Sequence, residues 1–339
     1  MTMFEELKQV PEMPGAGLDA LPDEVAGGGQ PVVIRGAVAN WPFVRAARES
    51  DEAAVHYLLR FYTGRPVGVM VAPKSEQGRF FYRPDSKEMN FERSRESLAG
   101  VLQGLLQQRA EEQPFGIAVQ AIPAPEILPG LQEDNPNPFV PDGAPARLWI
   151  GNQVSVSPHF DIADNIACVT AGRRRFILFP PEQTANIYPG PMDVTPATVP
   201  ISMVSLEEPD FERFPRYREA LDAAFVAELE PGDAIYIPYL WWHGVQSLSR
   251  FNILTNYWWN RDSTAARYPY VPLLRLVYML YRGLPAEHRH AWRALYDHYV
   301  FEEDGDPMAP LAPQHRDFER EVSREDAAKL RQMIGELLG

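Results

Sequence analysis

The chain of 339 residues has a single cysteine, Cys168. No disulfide can form within it, and a reducing, cytoplasmic setting is the expectation. No apolar run approaches the roughly 18 residues that span a bilayer, so no membrane partner is expected. The opening MTMFEELKQVPEMPG has neither the basic nor the apolar region of a secretory leader. Basic charge is also short: 32 Lys and Arg against 46 Asp and Glu leave a formal net charge of −14. That balance excludes a general nucleic-acid binder, which needs a broad basic surface, but it allows a local basic pocket. Lysine is scarce, confined to Lys8, Lys74, Lys87 and Lys329, so nearly all positive charge is arginine. The sequence contains no Gly-x-Ser-x-Gly and no dinucleotide fingerprint. Gly27-Gly28-Gly29 lacks the Gly-Lys-Ser/Thr of a phosphate loop and reads as a connector.

Proline, by contrast, is abundant at 33 residues, against a usual share of about 5%. With glycine it punctuates a series of short apolar runs: Phe115–Ile122, Arg147–Ser157, Asn165–Thr170, Arg175–Phe179, Asp233–Ile237 and Phe251–Trp259. Such spacing predicts an antiparallel barrel or sandwich. Ahead of it, residues 1–30 read as a loose leader and Pro31–Val38 as a buried strand. Asp51–Tyr62 and Arg93–Arg109 read as helices, the second capped by Ser94 and striped by Leu98, Val101, Leu102 and Leu105. A helical insertion is expected over Asp210–Leu229, ended by the Pro231-Gly232 turn. Beyond residue 260 three helices are expected, Val271–Tyr281, Ala286–Val300 and Arg324–Leu338. The expected organisation is N-terminal α/β elements (1–114), a β-barrel core (115–260) and a C-terminal helical region (261–339).

The chemistry concentrates in Ser157-Pro158-His159-Phe160-Asp161 and in Trp241-Trp242-His243. On an extended strand residues two apart share a face, so His159 and Asp161 can converge on one point. His243, ending the strand launched by Pro231-Gly232-Asp233, would add a second imidazole. Two neutral imidazoles and one carboxylate bind a divalent metal and leave coordination positions open, the facial arrangement of non-haem Fe(II) sites. Strand alternation also turns Arg174 inward with Phe176 and Leu178, and Arg173 and Arg175 outward. An inward arginine is costly unless an anion meets it.

Several blocks in order carry a family resemblance: HFD, Asn165, AGRRRFILFPPEQ, NIYPGP, PDFERFP, LEPGDAIYIPYLWWHGVQSL and NILTNYWW, with a weaker echo in QPVVIRGAVANWP. From about Ser155 to Asn260 the chain resembles the cupin-like JmjC-domain Fe(II)/2-oxoglutarate-dependent oxygenases, particularly the asparaginyl hydroxylase branch and its bacterial relatives. The resemblance implies a mainly β fold with α decoration, built on a double-stranded β-helix (the cupin/JmjC jelly roll). It also implies Fe(II) as the metal, 2-oxoglutarate and O2 as co-substrates, and a hydroxylase acting on a protein or peptide side chain or a small molecule. His159, Asp161 and His243 would be the metal ligands. Asn165 and Asn256 would lie near the metal-binding end of 2-oxoglutarate, and Trp258 on an apolar wall. Arg174 takes the place of a family lysine that pairs with the distal carboxylate, a change that keeps the charge and lengthens the reach. A family threonine corresponds to Val156, so Ser155 or Ser157 would serve if the strand is offset by one. A family tyrosine corresponds to Ala118, beside a matching Gln120. The C-terminal helices would form a homodimer interface. Two other readings stay open: a metal-dependent cupin enzyme that uses no 2-oxo acid, and a catalytically silent binding barrel. Substrate selectivity is expected around residues 75–90, 122–145 and 186–206. His288 and His290 read as solvated positions of one helix, and Cys168 as a buried small hydrophobe.

Overall fold

A computed structural model describes residues 3–83, 88–196, 199–261 and 270–312, together with Ala328, Gln332 and Gly335. The chain divides into two units, Met1–Arg261 and Asp262–Gly339. Eight strands form the centre of the first: β1 (Ala146–Gly151), β2 (Ser155–His159), β3 (Asp164–Ala171), β4 (Arg174–Phe179), β5 (Phe225–Leu229), β6 (Ala234–Ile237), β7 (Trp242–Ser247) and β8 (Asn252–Trp259). Neighbours run β6-β3-β8-β1 in one sheet and β5-β4-β7-β2 in the other. All these pairings are antiparallel. This is the double-stranded β-helix, and the mainly β expectation is met.

The period of two writes the layers. Ala167 and Val169 of β3, Phe176 and Leu178 of β4, Ala227 and Leu229 of β5, and Leu254 of β8 pack together between the sheets. The alternate residues Ile166, Cys168, Ile253 and Tyr257 turn outward. They pack there against side chains of the helices Pro42–Glu49, Asp51–Leu59 and Leu98–Gln108. On the other sheet, Ile177, Phe179, Val226 and Trp242 bury against Tyr217 and Ala220. Both faces of the barrel wall are therefore apolar, each fully buried Leu, Ile or Phe contributing about 1.5–3 kcal/mol.

Four local expectations change. The leader is not loose: Lys8–Gln9 pairs in parallel with β5, and Glu12–Pro14 pairs in parallel with Val32–Arg35. Polar segments of this kind become strands only through partners distant in sequence. Only Tyr217–Asp222 of the expected 210–229 insertion is helical. Phe225–Leu229 is a strand because its alternate residues fill two cores, one on each side of the sheet. The cap of the helix Leu98–Gln108 is Ser97, whose hydroxyl accepts from Gly100 N–H, while Glu92–Glu96 is an exposed edge strand. Finally, β2 stops at His159, so Asp161 lies in the following turn rather than on the strand.

In the second unit, Tyr270–Tyr281 and Ala286–Tyr299 are helices. The expected third helix lies outside the described residues apart from three isolated positions. Among the described residues, no helix is long and apolar enough to cross a membrane.

Candidate metal centre

His159 and His243 face each other across the β2–β7 ladder, with ring centroids 4.4 Å apart. The Nδ1 of His159 lies 3.0 Å from the Ser157 carbonyl, and the Nδ1 of His243 lies 3.0 Å from the Trp241 carbonyl. A carbonyl oxygen only accepts, so each Nδ1 donates to its carbonyl, and Nε2 is the ring nitrogen left to face the cluster. Burial, reinforced by the neighbouring His159, pushes His243 down to about 4. Near neutral pH it is therefore the neutral imidazole that a metal requires.

Asp161 reaches the same point from its turn. Leu240, held at φ +61, donates its N–H to the Asp161 carbonyl at 3.1 Å and so ties the turn before β7 to the turn after β2. A left-handed leucine beside a functional cluster is a locally strained conformation that its surroundings impose. The carboxylate is oriented by two donors: Trp258 Nε1 at 3.0 Å and Asn165 Nδ2 at 3.1 Å both give to Oδ2. Asn165 is itself backed by Asn256 Nδ2 at 3.4 Å, and the Asn256 oxygen accepts from Trp149 Nε1 at 2.8 Å. Ligand atoms of His159, Asp161 and His243 all lie within 4.8 Å of one another. This donor set, with both Nδ1 atoms held by carbonyls and the carboxylate fixed, fits a divalent first-row metal.

A cavity between the two sheets joins this cluster to Arg174, with Asn165, Asn256 and Trp258 also on its wall. Arg174 on β4 is buried and faces inward. It donates from Nη2 to the Trp149 carbonyl at 3.2 Å, while its buried Nε has no partner. Burial lowers its pKa to about 10, still protonated at neutral pH. Among the described residues no carboxylate pairs with it, so its unmet donor suits an anion entering the cavity.

Ser155, Ser157 and Gln120 are not brought to the cavity; Val156 is. Strict alternation would place Ser155 and Ser157 beside His159. A register slip between His243/His159 and Val245/Val156 turns Val156 inward instead. Gln120 sits on Gly116–Pro123, outside the eight strands, at an irregularity where Ala121 has φ +50. Trp149, Phe176, Ile237, Val245 and Leu254 complete the wall. Trp149 escaped the sequence reading, although the alternation of RLWIG marks it as facing opposite to Leu148 and Ile150. His288 and His290 are exposed on their helix, and Cys168 is fully buried with its thiol pKa pushed up by that burial.

A double-stranded β-helix with two histidines and one carboxylate clustered between its sheets defines a metal-binding cupin. Residues 19–265 match the family described as the cupin-like domain, and the chain belongs to this cupin-like JmjC-domain family. It is 35% identical over 123 residues to an HSPB1-associated protein 1 homolog of Danio rerio, covering 36% of this chain and 27% of that protein. It is 30% identical over 140 residues to a lysine-specific demethylase, JMJ31, of Arabidopsis thaliana, covering 40% and 25%. Jumonji C domain-containing protein 5 of Drosophila melanogaster is 24% identical over 262 residues, covering 74% and 59%. The matches thus span from about a quarter to three fifths of the length of these relatives.

Proposed function

We propose that this protein is an Fe(II)- and 2-oxoglutarate-dependent oxygenase, a hydroxylase of a protein or peptide side chain or of a small molecule. The observation that carries this reading is Arg174, a buried guanidinium without a carboxylate partner among the described residues, sharing one cavity with the His159–Asp161–His243 cluster. A buried, unpaired cation is expensive in a folded protein unless a bound anion completes it.

His159 and His243 would hold the iron through Nε2, and the Asp161 carboxylate, whose Oδ2 lies 3.6 Å from His243 Nε2 and is oriented by Trp258 and Asn165, would be the third ligand. Arg174 would take the distal carboxylate of 2-oxoglutarate, to which a guanidinium can offer two parallel N–H groups. When bound, Fe(II) and 2-oxoglutarate supply the oxidising power: one atom of O2 enters succinate as CO2 leaves, and the other enters a substrate C–H bond as hydroxyl. Ala167, Phe176, Ile237, Val245 and Leu254 keep the cavity wall dry, which strengthens the electrostatics of Arg174 and Asp161. Cytoplasmic action fits the single buried cysteine. Dimerisation through the C-terminal helices is supported by exposed Leu274, Met279 and Leu280 on Tyr270–Tyr281.

Anaerobic titration of the Fe(II)-loaded protein with 2-oxoglutarate tests the reading. The expected result is a metal-to-ligand charge-transfer band that His159→Ala abolishes. Its absence in the wild-type protein would favour a cupin that uses no 2-oxo acid, or a silent binding barrel.

A further inference from the structure

The sheet register carries a second arginine to the cavity's edge. On β1, Arg147 lies two residues from Trp149, so the two side chains share the inner face of their sheet, and Trp149 lines the cavity. Across the ladder Arg147 is paired with Asn256 of β8, another cavity residue. Its guanidinium carbon sits 5.3 Å above the centroid of the Trp258 ring, the indole whose N–H holds Asp161. Arg147 is half-buried. Among the described residues it has neither an ion-pair partner nor a hydrogen bond from its side chain.

Carboxylates meet several arginines of this chain, whereas Arg60 and Arg213, like Arg147, rest against aromatic rings without one among the described residues; Arg147 differs from them in standing beside the metal cluster. Arg35 is met by Asp233 at 2.7 Å, Arg109 by Asp51 at 2.8 Å, Arg175 by Glu228 at 2.5 Å and Arg261 by Asp164 at 3.1 Å. With 46 acidic residues against 32 basic ones, carboxylates are plentiful. Among the described residues none serves the arginine that lies against the wall of the metal cluster. Stacking on Trp258 explains where the guanidinium rests. It does not use the N–H groups, which lie at the edge of the guanidinium plane and suit a planar or tetrahedral oxyanion.

We propose that Arg147 is a specificity-determining residue that binds an oxyanion, a carboxylate or phosphate monoester, of the molecule brought to the metal cluster. That this molecule is the one oxidised rests on the function proposed above; that an anion binds at Arg147 does not. The site is separate from Arg174, which lies on β4 of the opposite sheet. An anion at Arg147 sits next to Trp258, and therefore next to the ligand that Trp258 orients.

The test uses the full chain loaded with Mn(II) and 2-oxoglutarate, so that Arg174 is already engaged. Three probes differ in one group: N-acetyl-aspartate amide, N-acetyl-phosphoserine amide and the neutral N-acetyl-asparagine amide. Mn(II)-induced relaxation of the acetyl methyl protons reads binding close to the cluster. The expected result is enhancement for one or both anionic probes, and which of them responds identifies the carboxylate or the phosphate. Arg147→Gln should weaken the responding probe by about 10-fold or more, since a charged hydrogen bond is worth roughly 1.5–3 kcal/mol. Arg147→Lys should fall between the two, and it carries the same comparison if Arg147→Gln does not fold. Equal binding of the neutral probe, unchanged affinity in Arg147→Gln, or no binding of any probe to the wild-type protein would overturn the proposal. The free-Mn(II) paramagnetic resonance signal shows separately whether the cluster is loaded. Where it is not, the metal reading fails, and saturation-transfer measurements with the same probes still decide the role of Arg147.

Discussion

Trp258 donates its indole N–H to Oδ2 of Asp161 at 3.0 Å across 97 residues of sequence. The family resemblance places Trp258 on an apolar wall; in the structure it is also the polar anchor of a metal-ligand candidate. Replacing it with phenylalanine keeps an aromatic ring and removes only the donor. Trp258→Phe is expected to weaken Fe(II) or Co(II) binding by about 10- to 100-fold, the usual range when an outer partner of a metal ligand is lost. Chelator competition measures this directly, and unchanged affinity would show that Asn165 alone suffices to orient the carboxylate.

Arg174 is a buried guanidinium that no carboxylate meets among the described residues, a cost to the ligand-free fold that a bound anion would offset. Arg174→Met should therefore raise the stability of the ligand-free protein by about 1 kcal/mol or more, because it removes a buried, unpaired charge. On the proposed function, 2-oxoglutarate is expected to raise the thermal stability of the wild-type protein, and the same variant should lose that gain. Arg174→Lys keeps the charge and should keep part of that stabilisation. Denaturation with and without 2-oxoglutarate separates these effects, and a ligand-free Arg174→Met less stable than wild type would count against the account.

The metal-free protein should be sensitive to acid through His243. Its folded-state pKa, about 4, lies below the roughly 6.5 of an unfolded histidine. The unfolded chain therefore takes up a proton over a range in which the folded chain does not. The stability contribution is complete above about pH 6.5 and is lost as the pH falls through the folded value. Integrated over that window the loss is on the order of 3 kcal/mol. Urea unfolding from pH 7 to pH 4, compared with His243→Gln, would show this slope in the wild type alone.

Gly172, between β3 and β4, sets up the strand that carries Arg174. It has φ +71, and a Cβ there would stand 2.4 Å from both the Phe251 carbonyl and Asn252 Oδ1. Two of the contacting atoms would have to move in addition to the left-handed backbone cost. Gly172→Ala should destabilise the fold by about 2 kcal/mol or more. Chemical denaturation checks this, and a loss below about 0.5 kcal/mol, the range of a neutral surface change, would contradict it.

How far the sequence could be read depended on the range of the interaction that decides each feature. The inward Arg174 was legible because β4 alternates strictly, from buried Arg174 through half-buried Arg175 to buried Phe176. The β5 strand was not, since FVAEL follows a helix without a turn signal and becomes a strand through pairing with β4 and Lys8–Gln9. The helix start expected at Ser94 falls instead at Ser97, and the stretch ERSRE gives no local sign that it pairs with Val67–Ala72.

By itself the sequence determined the residue types available for metal and anion chemistry, the periodicity that sends them inward, and the turns that separate the strands. These are local properties, encoded within a few residues. Only the tertiary structure decided that Val156 rather than Ser155 or Ser157 faces the cavity, and that Asp161 is held from a turn by Trp258 and Asn165. It also decided that Arg174 and Arg147 meet no carboxylate among the described residues, while Arg35, Arg109, Arg175 and Arg261 do. Register slips and long-range pairing set these outcomes, and in a β-helix the partners come from strands far apart along the chain.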